Sequence, residues 1–269
     1  MRVVRTRIRL AQNFLRDPKL VEALVTDSNI GSDDVVYEIG PGEGIITKAL
    51  AQRAKQVVAV EIDPTLASQL TAQFRDRSNV RIVRADFLSY QIRMRPYKVF
   101  SNIPFNITSE IVRKLLSDRE GLAEGYLIVQ KEAAEKFAGT PRETQFSVLA
   151  KPWFEMRIIW EFQRTDFEPV PSVDVVLLHI EKRTKALVPK DREELYQRFI
   201  TYGFGAWKKD LKIAYKKVFT YEQWKRLARD LGFQVRPIPT ELGFEQWLGL
   251  FRGFEQLVPE DKKRVVLAK

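Results

Sequence analysis

Glu38-Ile39-Gly40-Pro41-Gly42-Glu43-Gly44 closes an apolar run, Asp34 to Ile39, and opens a helical stretch, Ile45 to Arg53. The run reads as a buried strand. Glycines at alternate positions let the chain turn tightly and expose bare backbone to a ligand, while the following helix offers its free N–H groups. The spacing is Gly-x-Gly-x-Gly, not the Gly-x-Gly-x-x-Gly of dinucleotide enzymes, and an acid stands two residues before the first glycine. That difference argues for a ligand without a pyrophosphate.

The same arrangement recurs along the chain. Gln56 to Ile62 reads as a second strand ending in Glu61, seventeen residues beyond Gly44. An acid there is placed to take two ribose hydroxyls, and Ile62 to lie against an adenine face. A third strand, Val80 to Arg84, runs into Ala85-Asp86, whose carboxylate suits an adenine amine. A fourth, Tyr97 to Phe100, leads into Ser101-Asn102-Ile103-Pro104-Phe105-Asn106. Each candidate stands at the carboxyl end of a successive strand with helices between, where open α/β sheets bind ligands. Gly125 to Gln130, Met156 to Phe162 and Val173 to Ile180 read as three more strands, giving an α/β fold with a mainly parallel seven-stranded sheet.

Asn102 carries the chemistry in this reading. An exocyclic amine on a nucleobase is a poor nucleophile because its lone pair is delocalised into the ring. Two neutral acceptors, one per N–H, localise that pair as an electrophile arrives. Asn102 offers a side-chain carbonyl and the Ile103 or Pro104 region a backbone one. Proline fixes its own φ and pushes Ile103 into an extended conformation, so these carbonyls are aimed in advance. Phe105 then supplies a face on which an extruded base can stack. Asparagine is no general base, so its part is positioning and electrostatic stabilisation, with the proton lost to solvent. The plain alternative is a strand-to-helix turn with Asn102 as turn former and Phe105 as core.

Composition narrows the classes. The chain has 269 residues, 45% of them hydrophobic, and no run of eighteen apolar residues, so a soluble protein with a large domain and a smaller one is expected. Met1 to Leu10 alternates arginines with Val, Ile and Leu and lacks an apolar signal core, pointing to the cytoplasm. With no cysteine and one histidine, His179, neither disulfides nor a histidine- or thiolate-based metal site is expected. The net charge of +10 is unevenly spread: +5 over Met1 to Lys19, −4 over Leu20 to Glu181, +9 over Lys182 to Arg229 and zero beyond. Basic flanks around a mildly acidic middle fit a polyanionic partner held by the flanks.

Glu-Ile-Gly-Pro-Gly-Glu-Gly, Val-Glu-Ile-Asp (Val60 to Asp63), Ala-Asp-Phe (Ala85 to Phe87) and Asn-Ile-Pro-Phe, in this order, resemble the S-adenosylmethionine-dependent rRNA adenine N6-methyltransferases. The resemblance implies a Rossmann-like class I methyltransferase domain. It further implies Gln12, Asn13, Gly40 and Gly42 around the methionine part of S-adenosylmethionine, Glu61 at its ribose, Ile62 and Asp86 at its adenine, and Leu15 and Asn102 as further cofactor contacts. Asn102 and Phe105 would face the target base. Many relatives have tyrosine in place of Phe105, so stacking survives here and a hydroxyl contact does not. Phe167-Glu168-Pro169-Val170-Pro171-Ser172-Val173 resembles the family's Phe-x-Pro-x-Pro-x-Val signature, in which Phe167 would be a second wall against the base or a hydrophobic plug.

The strand pattern stops near Lys182 to Lys190, which sets the domains at residues 1–183 and 184–269, the second a small, basic, all-helical RNA-binding domain. Arg192 to Tyr202, Lys208 to Phe219, Tyr221 to Leu231 and Phe244 to Phe254 read as helices. On the second, Lys208, Lys212 and Lys216 form one cationic stripe with Lys209 and Lys217 beside it, and Arg5, Arg7 and Arg9 share one side of an extended arm. Both suit phosphates. Val258 to Lys269 reads as a flexible tail. Lys212 to Gln223 and Phe244 to Phe251 resemble the Erm macrolide-resistance enzymes, whereas Phe204-Gly-Ala-Trp-Lys-Lys poorly matches the Phe-x-x-Arg-Arg-Lys element of the small-subunit (KsgA-type) dimethyltransferases. Erm kinship implies a monomer that methylates one adenine of 23S rRNA. The alternatives are small-subunit rRNA dimethylation, a non-catalytic nucleic-acid-binding relative, and a DNA adenine methyltransferase, for which Asp-Pro-Pro-Tyr would be expected at residues 102–105.

Overall fold

The computed structural model describes residues 13–205 and 210–267, so Arg5, Arg7, Arg9, Gln12, Lys208 and Lys209 lie outside the described residues. The chain forms two compact units: one runs to Ala134 and takes in Glu155–Lys182, the other comprises Glu135–Phe154 and Arg183–Lys269. The division expected after residue 183 lies one residue from the observed break at Lys182. Glu135–Phe154 departs from the expectation by grouping with the C-terminal segment, where Tyr196 donates its hydroxyl to the Val148 carbonyl at 2.7 Å.

In the first unit the strands are β1 (Val35–Ile39), β2 (Gln56–Glu61), β3 (Val80–Arg84), β4 (Tyr97–Asn102), β5 (Leu122–Gln130), β6 (Phe154–Glu161) and β7 (Val175–Lys182). They form one seven-stranded sheet in the order 3-2-1-4-5-7-6. The first five pair in parallel and β7 runs antiparallel to β5. The sheet is thus mixed and mainly parallel, as the succession of strand-end motifs suggests. β1 and β2 are almost wholly buried, which a parallel strand covered on both faces requires.

Helices α1 (Pro18–Asp27), α2 (Ile45–Leu50), α3 (Pro64–Gln73) and α4 (Thr108–Ser117) fill the connections. Two of them start identically. Asp17 and Asp63 cap helices whose first residue is proline, each carboxylate accepting from the N–H two residues on, at 2.8 and 2.7 Å.

At the amino ends of the parallel strands lies a polar cluster built around Lys98. Lys98 Nζ donates to the Asn29 carbonyl at 2.5 Å and stands 3.0 Å from Asp34 Oδ2 and 3.1 Å from Glu124 Oε2. Asn29 Nδ2 adds a 2.8 Å bond to Glu124 Oε1. Burial alone would raise the Glu124 pKa, but the bonds from Asn29 and Lys98 outweigh it and hold the carboxyl below its ordinary value. His179 stacks on Tyr126 with Nε2 at 3.4 Å from Glu124 Oε1, while Arg157 Nε donates to its Nδ1 at 3.4 Å. Glu124, His179 and Glu181 are near enough to share a metal ion. With Nδ1 accepting from Arg157, the neutral imidazole carries its proton on Nε2, on the side of Glu124.

The second unit is packed with rings. It contains part of α5 (Lys131–Ala138), then α6 (Gln145–Ala150), α7 (Glu193–Phe204), α8 (Leu211–Ala214), α9 (Tyr221–Asp230), α10 (Phe244–Leu257) and α11 (Glu260–Leu267). Tyr215 is buried at its centre, stacked on Phe199 at 4.8 Å and donating its hydroxyl to the Phe199 carbonyl at 2.7 Å. Trp247, Phe251 and Phe254 close over Phe199 from α10.

Two expectations fail here. The helix read over Lys208 to Phe219 is only Leu211–Ala214, because Asp210 caps it through Ile213 N–H at 2.8 Å and the chain then turns, Val218 N–H bonding back to Tyr215. The expected tail is a helix, α11, with Val258 and Val266 buried and Arg198 donating to the Leu267 carbonyl at 3.0 Å. An unbroken charged run, Glu260 to Arg264, hid the apolar anchors. Among the described residues no helix is long and apolar enough to cross a membrane.

Candidate active site

The strand order reverses between β1 and β4, and there the two strands part. Their backbones pair only at Val36 with Lys98 and Tyr37 with Val99. Beyond that the Ser101 hydroxyl takes over, donating to the Ile39 carbonyl at 2.5 Å and accepting from its N–H at 3.2 Å. The gap opens into a cleft of about 440 Å³, lined by Asn13 to Arg16, Glu38, Gly40, Pro41, Glu43, Gly44, Asn102 to Phe105 and Glu168 among others. Crevices at such reversals are where open α/β sheets take ligands.

Gly40, Gly42 and Gly44 all have positive φ (63, 58 and 84°), so the turn needs glycine for its conformation. Gly42 also needs it for space. A methyl group there would come within 2.5 Å of Phe14 Cε1, since the Phe14 ring lies over it. That ring is placed by a short antiparallel bridge pairing Phe14 with Glu168 and Leu15 with Phe167, reinforced by a 3.1 Å ion pair between Arg16 and Glu168.

Two buried acids flank the turn. Glu38 Oε2 accepts the Thr47 hydroxyl at 2.5 Å; Glu61 accepts from Asp63 N–H at 2.8 Å and, more weakly, from Gly42 N–H at 3.4 Å. Burial pushes the Glu38 pKa up to about 8 against the pull of the Thr47 bond, with the neighbouring Glu61 adding to the rise. Glu61 is also raised, by burial first. Among the described residues neither acid has a lysine or arginine ion-pair partner.

Asn102 sits at the cleft, half-buried, and its Nδ2 donates to the Asn13 carbonyl at 2.6 Å. That bond fixes the amide and leaves Oδ1 without a protein donor among the described residues. The structure also separates the two backbone carbonyls. Pro104 already accepts from Ile107 N–H and the Thr108 hydroxyl, both at 3.2 Å, whereas no donor takes the Ile103 carbonyl among the described residues. The cleft therefore presents two neutral acceptors from adjacent residues, and Phe105 lines it beside them.

Not every expected residue joins this group. Gly42, Glu61, Ile62 and Asp86 lie outside the cleft lining. Glu61 is covered, while Ile62 is 43% exposed and Asp86 is exposed, with Oδ1 accepting Leu88 N–H at 2.9 Å. Phe167 is a correction. Its ring is fully buried against Phe162 at 5.4 Å and belongs to the core, so it is the plug and not a wall for a base. Glu38, Thr47 and Phe14 were not singled out beforehand. Only the acid two residues before Gly40 left a trace, and nothing in the residue types announced that it would be buried and unpaired.

Comparison with known proteins agrees with this geometry. The family model for ribosomal RNA adenine dimethylase matches residues 3–233. An rRNA adenine N-6-methyltransferase of Bacillus licheniformis is 29% identical over 252 residues, 93% of this chain and 88% of that protein. A ribosomal RNA small subunit methyltransferase A of Chlorobium phaeobacteroides is 31% identical over 258 residues, 93% of this chain and 91% of that one. Among solved structures, the crystal structure of the 23S rRNA methyltransferase ErmE superposes with a TM-score of 0.85 at 30% identity, covering 91% of this chain and 100% of its own.

Proposed function

The chain belongs to the ribosomal RNA adenine dimethylase family and is an rRNA adenine N6-methyltransferase, and from that premise we propose that it takes methyl from S-adenosylmethionine and places it on N6 of one adenine in 23S rRNA, conferring macrolide, lincosamide and streptogramin B resistance. The observation that carries the chemistry is the pair of unengaged acceptors, Asn102 Oδ1 and the Ile103 carbonyl, beside the glycine turn. An adenine amine has two N–H groups, and two neutral acceptors hold both while leaving the lone pair free.

The residues suit such a donor. Two buried carboxyl groups without cationic partners among the described residues, Glu38 and Glu61, stand where a positively charged ligand would relieve their burial. When bound, S-adenosylmethionine supplies an electrophilic methyl group on a sulfonium. Asn13, Leu15, Gly40 and Gly42 would hold its methionine part, Glu61 its ribose, and Ile62 and Asp86 its adenine. Asn102, locked by Asn13, orients the amine, and Phe105 stacks on the base. In-line placement then supplies most of the rate, since no strong base is needed. The proton leaves for solvent. Arg5, Arg7, Arg9, Lys208, Lys209, Lys212 and Lys216 would neutralise RNA phosphates.

Small-subunit rRNA is the second reading, favoured by a relative of that name at 31% identity. Naked 23S and 16S rRNA offered separately with radiolabelled donor discriminate the two. Label on one 23S adenine and growth on erythromycin support the first reading; label confined to 16S rRNA refutes it.

A further inference from the structure

Lys114, on α4, ends in an ammonium whose three donors are all taken by one short loop. It donates to the carbonyls of Phe87, of Leu88 at 3.0 Å and of Tyr90 at 2.5 Å, and lies 4.9 Å from the centroid of the Phe87 ring. A lysine has three N–H donors and no more, so this side chain has nothing left for a phosphate. The loop is a single helical turn: Ser89 and Tyr90 N–H both bond back to the Asp86 carbonyl, at 3.1 and 2.9 Å. Asp86 caps its start through Leu88 N–H. Lys114 caps its end, as a cation does at the exposed carbonyls of a helix terminus. Burial lowers the Lys114 pKa and the Asp86 carboxylate pulls it back up, so the two groups feel each other across the turn.

We propose that Lys114 is a positioning residue for the methyl donor, setting the Asp86 carboxylate through the turn that both residues cap. The inference rests on the donor reading above, in which Asp86 accepts the amine of the donor's adenine. Remove the ammonium and the Leu88 and Tyr90 carbonyls lose their donor, while Phe87 keeps Tyr90 N–H at 3.2 Å. The turn opens from its far end, and Asp86 Oδ2, which no protein donor takes among the described residues, loses its fixed aim. α4 keeps its own packing, with Ile111, Val112 and Leu115 buried, so the damage stays in the loop.

The test compares S-adenosylhomocysteine with S-inosylhomocysteine, in which a ring carbonyl replaces the amine that Asp86 would accept. Wild-type protein should prefer the adenine form, and Lys114→Met should weaken binding of that form roughly tenfold, the worth of a charge-assisted hydrogen bond. Binding of the inosine form should stay within a factor of about two, so that discrimination collapses. Lys114→Arg, which keeps a cationic cap, should restore part of it. In turnover, Lys114→Met should raise KM for the donor and leave kcat nearly unchanged. Retained discrimination in Lys114→Met overturns the inference, as does equal loss for both ligands, which marks a merely structural residue. Wild-type protein that binds neither ligand overturns the donor assignment itself, a failure distinguishable from the first two.

Discussion

The two ends of the central sheet both bury carboxylates, and they treat them oppositely. At the amino ends of the parallel strands, Glu124 is met by Lys98 and Asn29 and its pKa is depressed despite burial. At the carboxyl ends, Glu38 and Glu61 have hydroxyl and amide donors but no cation among the described residues, and both are raised. The contrast teaches that burial of charge alone does not mark a site. An acid met by a lysine is settled within the fold, and an acid buried with no cation among the described residues marks a candidate site.

Asn102→Ala should break the functional end most sharply. Methyl transfer to rRNA should fall by at least ~100-fold, as when a stabilising donor or acceptor is removed from a reaction centre, while donor binding by calorimetry stays nearly intact. Full activity in that variant would remove Asn102 from the chemistry. Lys98→Met tests the other end. It strands Asp34 and Glu124 in a buried setting, and unfolding in urea should show a loss of about 3 kcal/mol, with transfer rate per folded molecule unchanged. A matching loss of specific activity would mean that the ends are not separable.

Glu38→Gln gives the most specific effect, one confined to a single window of pH. The folded pKa of about 8 lies above the ordinary value of 4.5, so the ligand-free native state holds a proton that the unfolded chain has released between those two values. Glu38 therefore contributes stability that is full below pH 4.5 and lost as pH rises towards 8. The Gln variant has no such proton to lose. Its stability relative to the wild type, measured by denaturant unfolding, should rise steadily from pH 5 to pH 8 and level off above. A difference independent of pH would show that Glu38 is ionised throughout.

Much of the functional end was legible because its signals are local. Glycine spacing, acids at strand ends and a proline-fixed turn are read from neighbours in the chain, and these also order the strands around a switch point. The rest depends on what folding brings together. That Phe167 is swallowed by the core follows from its meeting with Phe162, and that Pro104 rather than Ile103 spends its carbonyl follows from where Ile107 and Thr108 fall in the next turn. The partition of Glu135–Phe154 was equally hidden, because a short helical stretch between two strands carries no mark of which neighbour it will cover.

Ser101 shows how the sheet parts without penalty. Its single hydroxyl does for Ile39 what a whole peptide unit of a neighbouring strand would do, answering both the amide and the carbonyl. One oxygen atom thus stands in for a missing rung, and the backbone can diverge a residue early with nothing left unsatisfied. The place where β1 and β4 diverge is accordingly marked by a side chain two atoms long.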